Sequence, residues 1–212
     1  MAEPTGALFH DSRGGICRVV QLTLPLACER AADLLLAHNL IPFQRWGTQE
    51  LLAESDERRT FRGKWDVSRV AIANNGDTVG FCIGFELEPD FKFYHEPCFY
   101  LHRLAIVPAY QGRGIGALLQ AETVVGCFIR GFMCVGGPLD PVVLYGQTDS
   151  TENNRKVLLF YKAAGFRVVG QKPYESRIDT ILKMDAQSFW QSRHVGLWRR
   201  QRLSPADRSN WE

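Results

Sequence analysis

The sequence predicts one α/β domain, a twisted mixed β-sheet flanked by helices, with a helical stretch added at its C-terminal end. Three observations lead there. Short apolar runs bounded by turn residues dominate the first half, and two strand–helix–strand crossovers follow, a pattern that implies both antiparallel and parallel pairing. Asn74-Asn75-Gly76-Asp77 separates two strand-like runs and is a strong hairpin signal, because Asn and Gly tolerate positive φ. The 212 residues are 45% hydrophobic and 23% charged, enough for one sizeable core and too apolar for wholesale disorder.

The opening Met1-Ala2-Glu3-Pro4-Thr5-Gly6 lacks the basic start and apolar stretch of a signal peptide, so residues 1–15 are expected as the flexible N-terminus of an intracellular, cytoplasmic protein. Residues 16–24 are apolar and β-branched enough for a strand. Pro25 starts a helix carrying Leu26, Ala31, Leu34, Leu35 and Leu36, which closes near Asn39 before Pro42. Residues 48–59 are charged and expected as a second, exposed helix. Residues 68–73 and 78–87 are the strands of the hairpin. Pro89 then opens an aromatic loop over residues 90–97.

Residues 99–107 are near-continuously apolar apart from His102 and Arg103, and Pro108 ends that strand. A helix is expected from about Gly114 to Arg130. Gly136-Gly137-Pro138 breaks the chain before a short buried strand at residues 142–147. Residues 150–164 read as a helix, with Ser150 or Thr151 accepting from its first amides and Gly165 at the left-handed C′ position. Residues 166–170 and 179–184 complete the sheet. The domain thus covers residues 16–186, and residues 187–212 form a basic, aromatic extension.

Charge excludes some functions. The 25 basic and 23 acidic residues leave +2, too balanced for a nucleic-acid footprint over the whole surface. No apolar run reaches 18 residues, so no membrane-spanning helix is expected. The extension concentrates Arg193, Arg199, Arg200, Arg202 and Arg208 against Asp207 and Glu212. It reads either as a helix docked on the core or on a second subunit, or as a basic arm for RNA or another anionic surface. Six widely spaced cysteines include no CxxC pair and no zinc-like spacing, so they read as reduced core residues and no metal is expected.

The segment richest in chemistry joins a buried strand to a helix through Gln111-Gly112-Arg113-Gly114-Ile115-Gly116. Successive amides in such a turn point into one concavity, and the helix dipole adds about half a positive charge there. Three glycines leave room for close approach, and Arg113 offers a cationic donor. Read on its own, the turn is either a diphosphate nest or a glycine-rich turn kept for structure. No Lys-Ser or Lys-Thr follows, so it is not a Walker A loop. No acidic residue about 20 positions on ends a following strand, as a dinucleotide site would want.

Gln111–Gly116, preceded by Leu104-Ala105-Ile106-Val107-Pro108, resembles the pyrophosphate loop of the GNAT superfamily of acetyl-CoA-dependent N-acetyltransferases, Arg/Gln-x-x-Gly-x-Gly/Ala after a strand. A second block, Asn154-Arg155-Lys156-Val157-Leu158-Leu159-Phe160-Tyr161-Lys162-Ala163-Ala164-Gly165-Phe166, is similar to that family's Asn-x(6)-Tyr-x(3)-Gly-Phe helix and turn. The resemblance implies a GNAT-like sheet with a splayed central strand pair holding acetyl-CoA, with CoA as product. It implies that Gln111, Gly112, Arg113, Gly114, Ile115 and Gly116 bind the diphosphate. Leu104, Ala105 and Ile106 would pair with the pantetheine arm, which residues 142–147 splay away to admit, and Asn154 would contact that arm. Tyr161 would protonate the departing thiolate, or else is a core aromatic. A homodimer is common in such proteins.

An attacking alkyl amine has a pKa near 10.4 and must lose a proton. His102 is a candidate acceptor, placed where many family members carry a Glu or His; the alternative is a satisfied core histidine. Strand alternation puts His102 on one face with Leu104 and Ile106, and Tyr100 on the same face. Serotonin N-acetyltransferase has a His-x-His in this place, whereas only the second histidine stands here. Glu86 and Glu88 are the fallback bases. Glu86, Glu88, Asp90 and Tyr100, with Trp46, Trp65, Phe93, Tyr94, His95, Glu96 and Glu175, sketch an acidic and aromatic acceptor side. That composition suits a small-molecule amine, with an aminoglycoside-like or polyamine compound as one option. The alternatives are a protein, peptide or aminoacyl-tRNA amine, or a non-catalytic acyl-CoA-binding regulator.

Overall fold

The computed structural model describes residues 6–39, 45–57, 59–87, 98–135, 143–149, 155–174 and 177–203. Among them one eight-stranded sheet forms from β1 (Ala7–His10), β2 (Ile16–Gln21), β5 (Arg69–Ala73), β6 (Thr78–Leu87), β7 (Cys98–Ile106), β8 (Val143–Asp149), β10 (Arg177–Met184) and β9 (Arg167–Tyr174), in that spatial order. Only β7 and β8 pair in parallel; every other neighbour is antiparallel. The hairpin turn between β5 and β6 forms as its residues dictate. Gly76 takes a positive φ of 87°, its N–H donates to the Ala73 carbonyl, and the Ala73 N–H donates to Asp77.

Side-chain alternation splits the core between the two faces of the sheet. On one face α5 (Ile115–Val135) lays Leu118, Leu119, Ala121, Val124 and Cys127 against Val19, Ala71, Cys82 and Leu101. On the other, α1 (Leu24–Glu29), α2 (Ala31–Asn39) and α3 (Thr48–Leu52) bring Ala27, Leu34, Ala37 and Leu51 onto Val20, Val70, Phe81 and Ile83. α6 (Arg155–Ala163) supplies the buried Tyr161 and ends at Gly165, whose φ of 100° is the expected left-handed one. The caps expected at Ser150 and Thr151, and the Gly136-Gly137-Pro138 break, lie outside the described residues.

Three expectations are corrected. The helix expected over residues 25–39 is two helices, broken at Arg30, whose guanidinium reaches across to the Gly76 carbonyl at 2.7 Å. The exposed helix expected over residues 48–59 stops at Leu52. Ala53 turns extended, and the buried Lys64 ammonium takes the Leu51 carbonyl at 2.7 Å. A small hairpin of β3 (Ser55–Asp56) and β4 (Arg59–Thr60) and the short α4 (Lys64–Val67) follow instead. The flexible N-terminus expected over residues 1–15 instead contributes β1, an edge strand with Phe9 fully buried. Its backbone alternates too briefly for the pattern to stand out in sequence.

The C-terminal stretch docks on the core. α7 (Ala186–Trp190) is capped by Asp185, which accepts from the Ser188 N–H at 2.7 Å, and buries Phe189 against Phe128 of α5. α8 (Arg193–Gln201) is capped by Ser192 and buries Val195 and His194. Gly165 makes the close fit of α7 feasible, since a Cβ there would lie 2.6 Å from the Ser188 carbonyl oxygen. The five cysteines whose side chains are described, Cys17, Cys28, Cys82, Cys98 and Cys127, are free thiols, and all but Cys28 are buried.

Candidate active site

β7 ends at Ile106, a single 3-10 turn spans Pro108–Tyr110, and the chain re-enters a helix at Ile115. Between them Gly112 and Gly114 take φ of 72° and 85°, conformations that L side chains rarely adopt. The loop is pinned from below. The Gln111 side-chain amide donates to the Ile106 carbonyl at 2.9 Å, and the Ser12 N–H donates to the Arg113 carbonyl at 3.0 Å. Asp11 holds its own turn by accepting from the Arg13 and Gly15 amides, each at 2.8 Å. A cleft of about 640 Å³ lies over the loop. Ile106, Gln111, Gly112, Gly114, Ile115 and Gly116 line it on one side, with Phe160 and Ala163 of α6 beside them. Arg193, His194, Gly196, Leu197 and Arg200 of α8 close the opposite side.

The Arg113 side chain is turned toward the N-terminal turn. Its guanidinium does not line the cleft; it sits 3.5 Å from the Asp11 carboxylate, donates to the Ala109 carbonyl at 2.8 Å and stacks over the Tyr110 ring. Its part is to brace the loop from the N-terminal turn. Leu104 and Ala105 also lie off the cleft wall, but their backbone borders a gap in the sheet. β7 pairs with β8 only over Cys98–Leu101, against Val143–Gly146. Beyond Leu101 the two strands diverge, so residues 102–106 have one edge paired to β6 and the other facing no strand among the described residues. An edge of that kind, leading into the glycine-loop cleft, can take an extended amide-bearing chain as a strand would.

His102 sits in a β-bulge. The pairing of β6 with β7 runs Cys82↔Leu104 and Ile83↔Arg103, then shifts to Gly84↔Leu101 and Phe85↔Tyr100. His102 is the residue without an opposite number. A bulge reverses alternation, so Leu104 and Ile106 share the α5 face with Phe99 and Leu101. His102 keeps company with Tyr100 on the other face, their rings 5.7 Å apart. The expectation that His102 shares a face with Leu104 and Ile106 is therefore wrong, because strict period-two counting ignores the inserted residue. Tyr100 shares the face of His102, as expected, and not that of Leu104 and Ile106.

Around His102 the rings of Trp46, Phe61, Phe85 and Tyr100 form an aromatic box, with centroids 5.3 to 6.2 Å from the imidazole. His38 stacks on the far side of Trp46 at 4.1 Å. Among the described residues Arg103 lies over Trp46 and Arg59 over Phe85. Burial, followed by the fields of Arg103, Arg59, Lys64 and His38, holds the imidazole well below its ordinary pKa. His102 is therefore neutral at pH 7. Its Nδ1 is buried with no hydrogen-bond partner among the described residues. Such an atom costs stability unless something satisfies it.

Tyr161 lies on the opposite side of the sheet, 8% exposed, its ring edge-on to Phe160 and Phe166. Burial raises its phenol above the ordinary range, with Cys82 and Tyr100 adding to the rise. Glu86 is partly buried on β6, its backbone N–H donating to the Arg62 carbonyl at 2.8 Å. Glu88, Asp90 and Asn154 lie outside the described residues, as do Phe93, Tyr94, His95, Glu96 and Glu175. No group of three or more potential metal ligands occurs among the described residues. No helix there is long and apolar enough to cross a membrane. Sequence reading missed the whole α8 wall. Its one signal was the period of Arg193, Leu197 and Arg200, visible only once the helix has a partner.

Residues 66–168 match the family model described as an acetyltransferase (GNAT) domain. No curated protein matches the chain in sequence. Among solved structures, an uncharacterized protein from Bacillus halodurans superposes with a TM-score of 0.60 at 14% identity, over 92% of this chain and 96% of that one. Naa20 of Chaetomium thermophilum, solved with a bisubstrate analogue, gives 0.59 at 16% identity, over 84% and 88%. NAA60 of Arabidopsis thaliana, solved with acetyl-CoA, gives 0.55 at 17%, over 79% and 97%. At those identities the likeness is one of fold.

Proposed function

We propose that this chain, whose residues 66–168 match a GNAT acetyltransferase domain, moves acetyl from acetyl-CoA to the primary amine of a small molecule by direct attack on the thioester. The observation that carries this reading is the continuity of the site. The cleft over the glycine loop is lined by Ile106, the last residue of β7, whose 102–106 edge faces no strand among the described residues, and Tyr161 and the His102 box lie on either side of that sheet. The glycine loop holds the diphosphate and the open strand edge holds the pantetheine arm. Asn154 contacts that arm.

The acceptor enters at the aromatic box. Its neutral amine donates a hydrogen bond to His102 Nδ1, the buried atom that otherwise lacks a partner. The nitrogen lone pair attacks the thioester carbonyl and a C–N bond forms. That bond makes the nitrogen's remaining protons far more acidic, so even a weakly basic imidazole can accept one. The C–S bond then breaks, and the sulfur takes the Tyr161 phenolic proton. A thiolate is costly in these surroundings: burial pushes the Cys82 thiol, in the same core, up to about 11. The raised phenol pKa keeps Tyr161 protonated, so its proton is there to give. Glu86, Glu88, Asp90 and Tyr100 shape the acceptor side.

The rings of Trp46, Phe61, Phe85 and Tyr100 at the box favour an amine on an apolar or aromatic body. A second reading, a peptide amine, draws support from the fold likeness to the NatC complex, which was solved bound to a peptide and CoA. Thiol release from acetyl-CoA against arylalkylamines, amino acids, aminoglycosides, polyamines and peptides, with mass spectrometry of products, decides between them. Turnover of one small apolar amine is expected. Activity confined to peptides would replace the first reading by the second, and activity confined to polycations would refute the reading of the box.

A further inference from the structure

We propose that α8 is a working wall of the phosphate cleft, and that Arg193 and Arg200 bind phosphate groups of acyl-CoA. The inference rests on reading the cleft as an acyl-CoA site. Residues 193, 196, 197 and 200 recur at i, i+3, i+4 and i+7, one face of a helix, and all four line the cleft across from the glycine loop. The helix is fixed there by its other face. Val195 is buried, the His194 Nδ1 lies 2.7 Å from Gln120 Oε1, and the Trp198 indole donates to Glu122 at 2.8 Å. Beyond the helix the Leu203 N–H donates to the Leu8 carbonyl at 2.9 Å, tying this end of the chain to β1. Leu197 packs so near the loop that a Cβ on Gly114 would lie 3.2 Å from its Cδ2.

The chemistry of that wall suits an anion. Among the described residues, Arg193 and Arg200 are the charged ones lining the cleft, and no carboxylate lines it. The neighbouring arginines are occupied: Arg199 lies over Trp190, Arg202 over Trp198, and Arg113 is turned to Asp11. Neither Arg193 nor Arg200 has a hydrogen-bond or ion-pair partner among the described residues, and both are exposed. The loop amides face the diphosphate from one side, whereas acyl-CoA carries a ribose 3′-phosphate as well. Side-chain cations are needed for the rest, and the residue expected to supply one, Arg113, faces away. The α8 face fills that role.

The test is calorimetric titration of the full chain and of its Arg193→Gln/Arg200→Gln variant with CoA, dephospho-CoA and pantetheine, at low and moderate salt. CoA affinity is expected to fall roughly tenfold in the variant, with a shallower salt dependence, while pantetheine binds both proteins alike. A loss confined to CoA assigns the arginines to the 3′-phosphate; an equal loss for dephospho-CoA assigns them to the diphosphate. The Arg193→Lys/Arg200→Lys variant, with charge kept, should retain most of the affinity. Unchanged CoA affinity and salt dependence in the glutamine variant, with an unchanged melting temperature, would overturn the role of α8 and leave the acyl-CoA reading standing. Failure of the unmodified protein to bind CoA at all would remove both.

Discussion

At the scale of single residues, the account turns on two buried groups that behave unlike their free counterparts. Tyr161 is held protonated by its apolar surroundings, which suits the proposed role of proton donor. Tyr161→Phe should lower kcat by about 10²-fold, with a smaller change in the KM for acetyl-CoA; an unaltered kcat would remove it as the proton donor. His102 is neutral throughout the physiological range because burial and nearby cations oppose its charge. The pH profile of kcat/KM should therefore rise with deprotonation of the amine substrate and show no inflection near pH 6.5. An inflection there that disappears in His102→Gln would mean that the histidine titrates normally and that the box is wetter than described. The residue identities at both positions are visible in the sequence. The face on which His102 points is not, because a bulge adds one residue to one strand and leaves no mark in the local pattern.

At the scale of elements, strands and helices with clear periodicity or firm punctuation were legible. β6 begins at Thr78 and ends at Leu87 as its alternation and turn signals require, and Gly165 stops α6 as a left-handed residue. The elements that sequence reading lost depend on tertiary partners. α3 ends early because Lys64, a residue 13 positions away from Leu51, takes its carbonyl. β1 exists because β2 offers it an edge. Gly165→Ala joins the two kinds of constraint, strained φ and a Cβ 2.6 Å from the Ser188 carbonyl oxygen, and should cost more than the ~1 kcal/mol typical of a point mutation. Chemical denaturation measures it, and a loss under half that figure would show that α7 does not press on the glycine as described. Trp198→Phe, which removes the donor to Glu122, should cost about 1 kcal/mol in the same assay.

At the scale of the whole molecule, three histidines are tuned the same way. His38, His102 and His194 all have lowered pKa values, burial being the largest cause in each, and that of His194 falls to about 4. The unfolded chain takes up protons near pH 6.5 while the folded chain refuses them, so stability is full above that pH and is lost on acidification. For His194 the loss runs from about pH 6.5 to 4, at about 1.4 kcal/mol per pH unit. Melting temperature should fall steeply below pH 6.5, and His194→Gln should flatten part of that slope. A melting temperature constant down to pH 5 would contradict the burial of these rings.

The same scale holds the central claim, that the glycine loop and the open edge of β7 together form the acetyl-CoA site. Gly112 is the place to probe it, since its φ of 72° excludes a side chain while a Cβ would meet nothing within 4 Å. A substitution there disturbs the loop and leaves the core alone. The measurement is the dissociation constant for acetyl-CoA of the unmodified protein and of Gly112→Val, with melting temperature as a check on folding. The account predicts binding by the first and at least roughly tenfold weaker binding by the second, as amides are turned away from the diphosphate. Equal affinity in two equally stable proteins would contradict it.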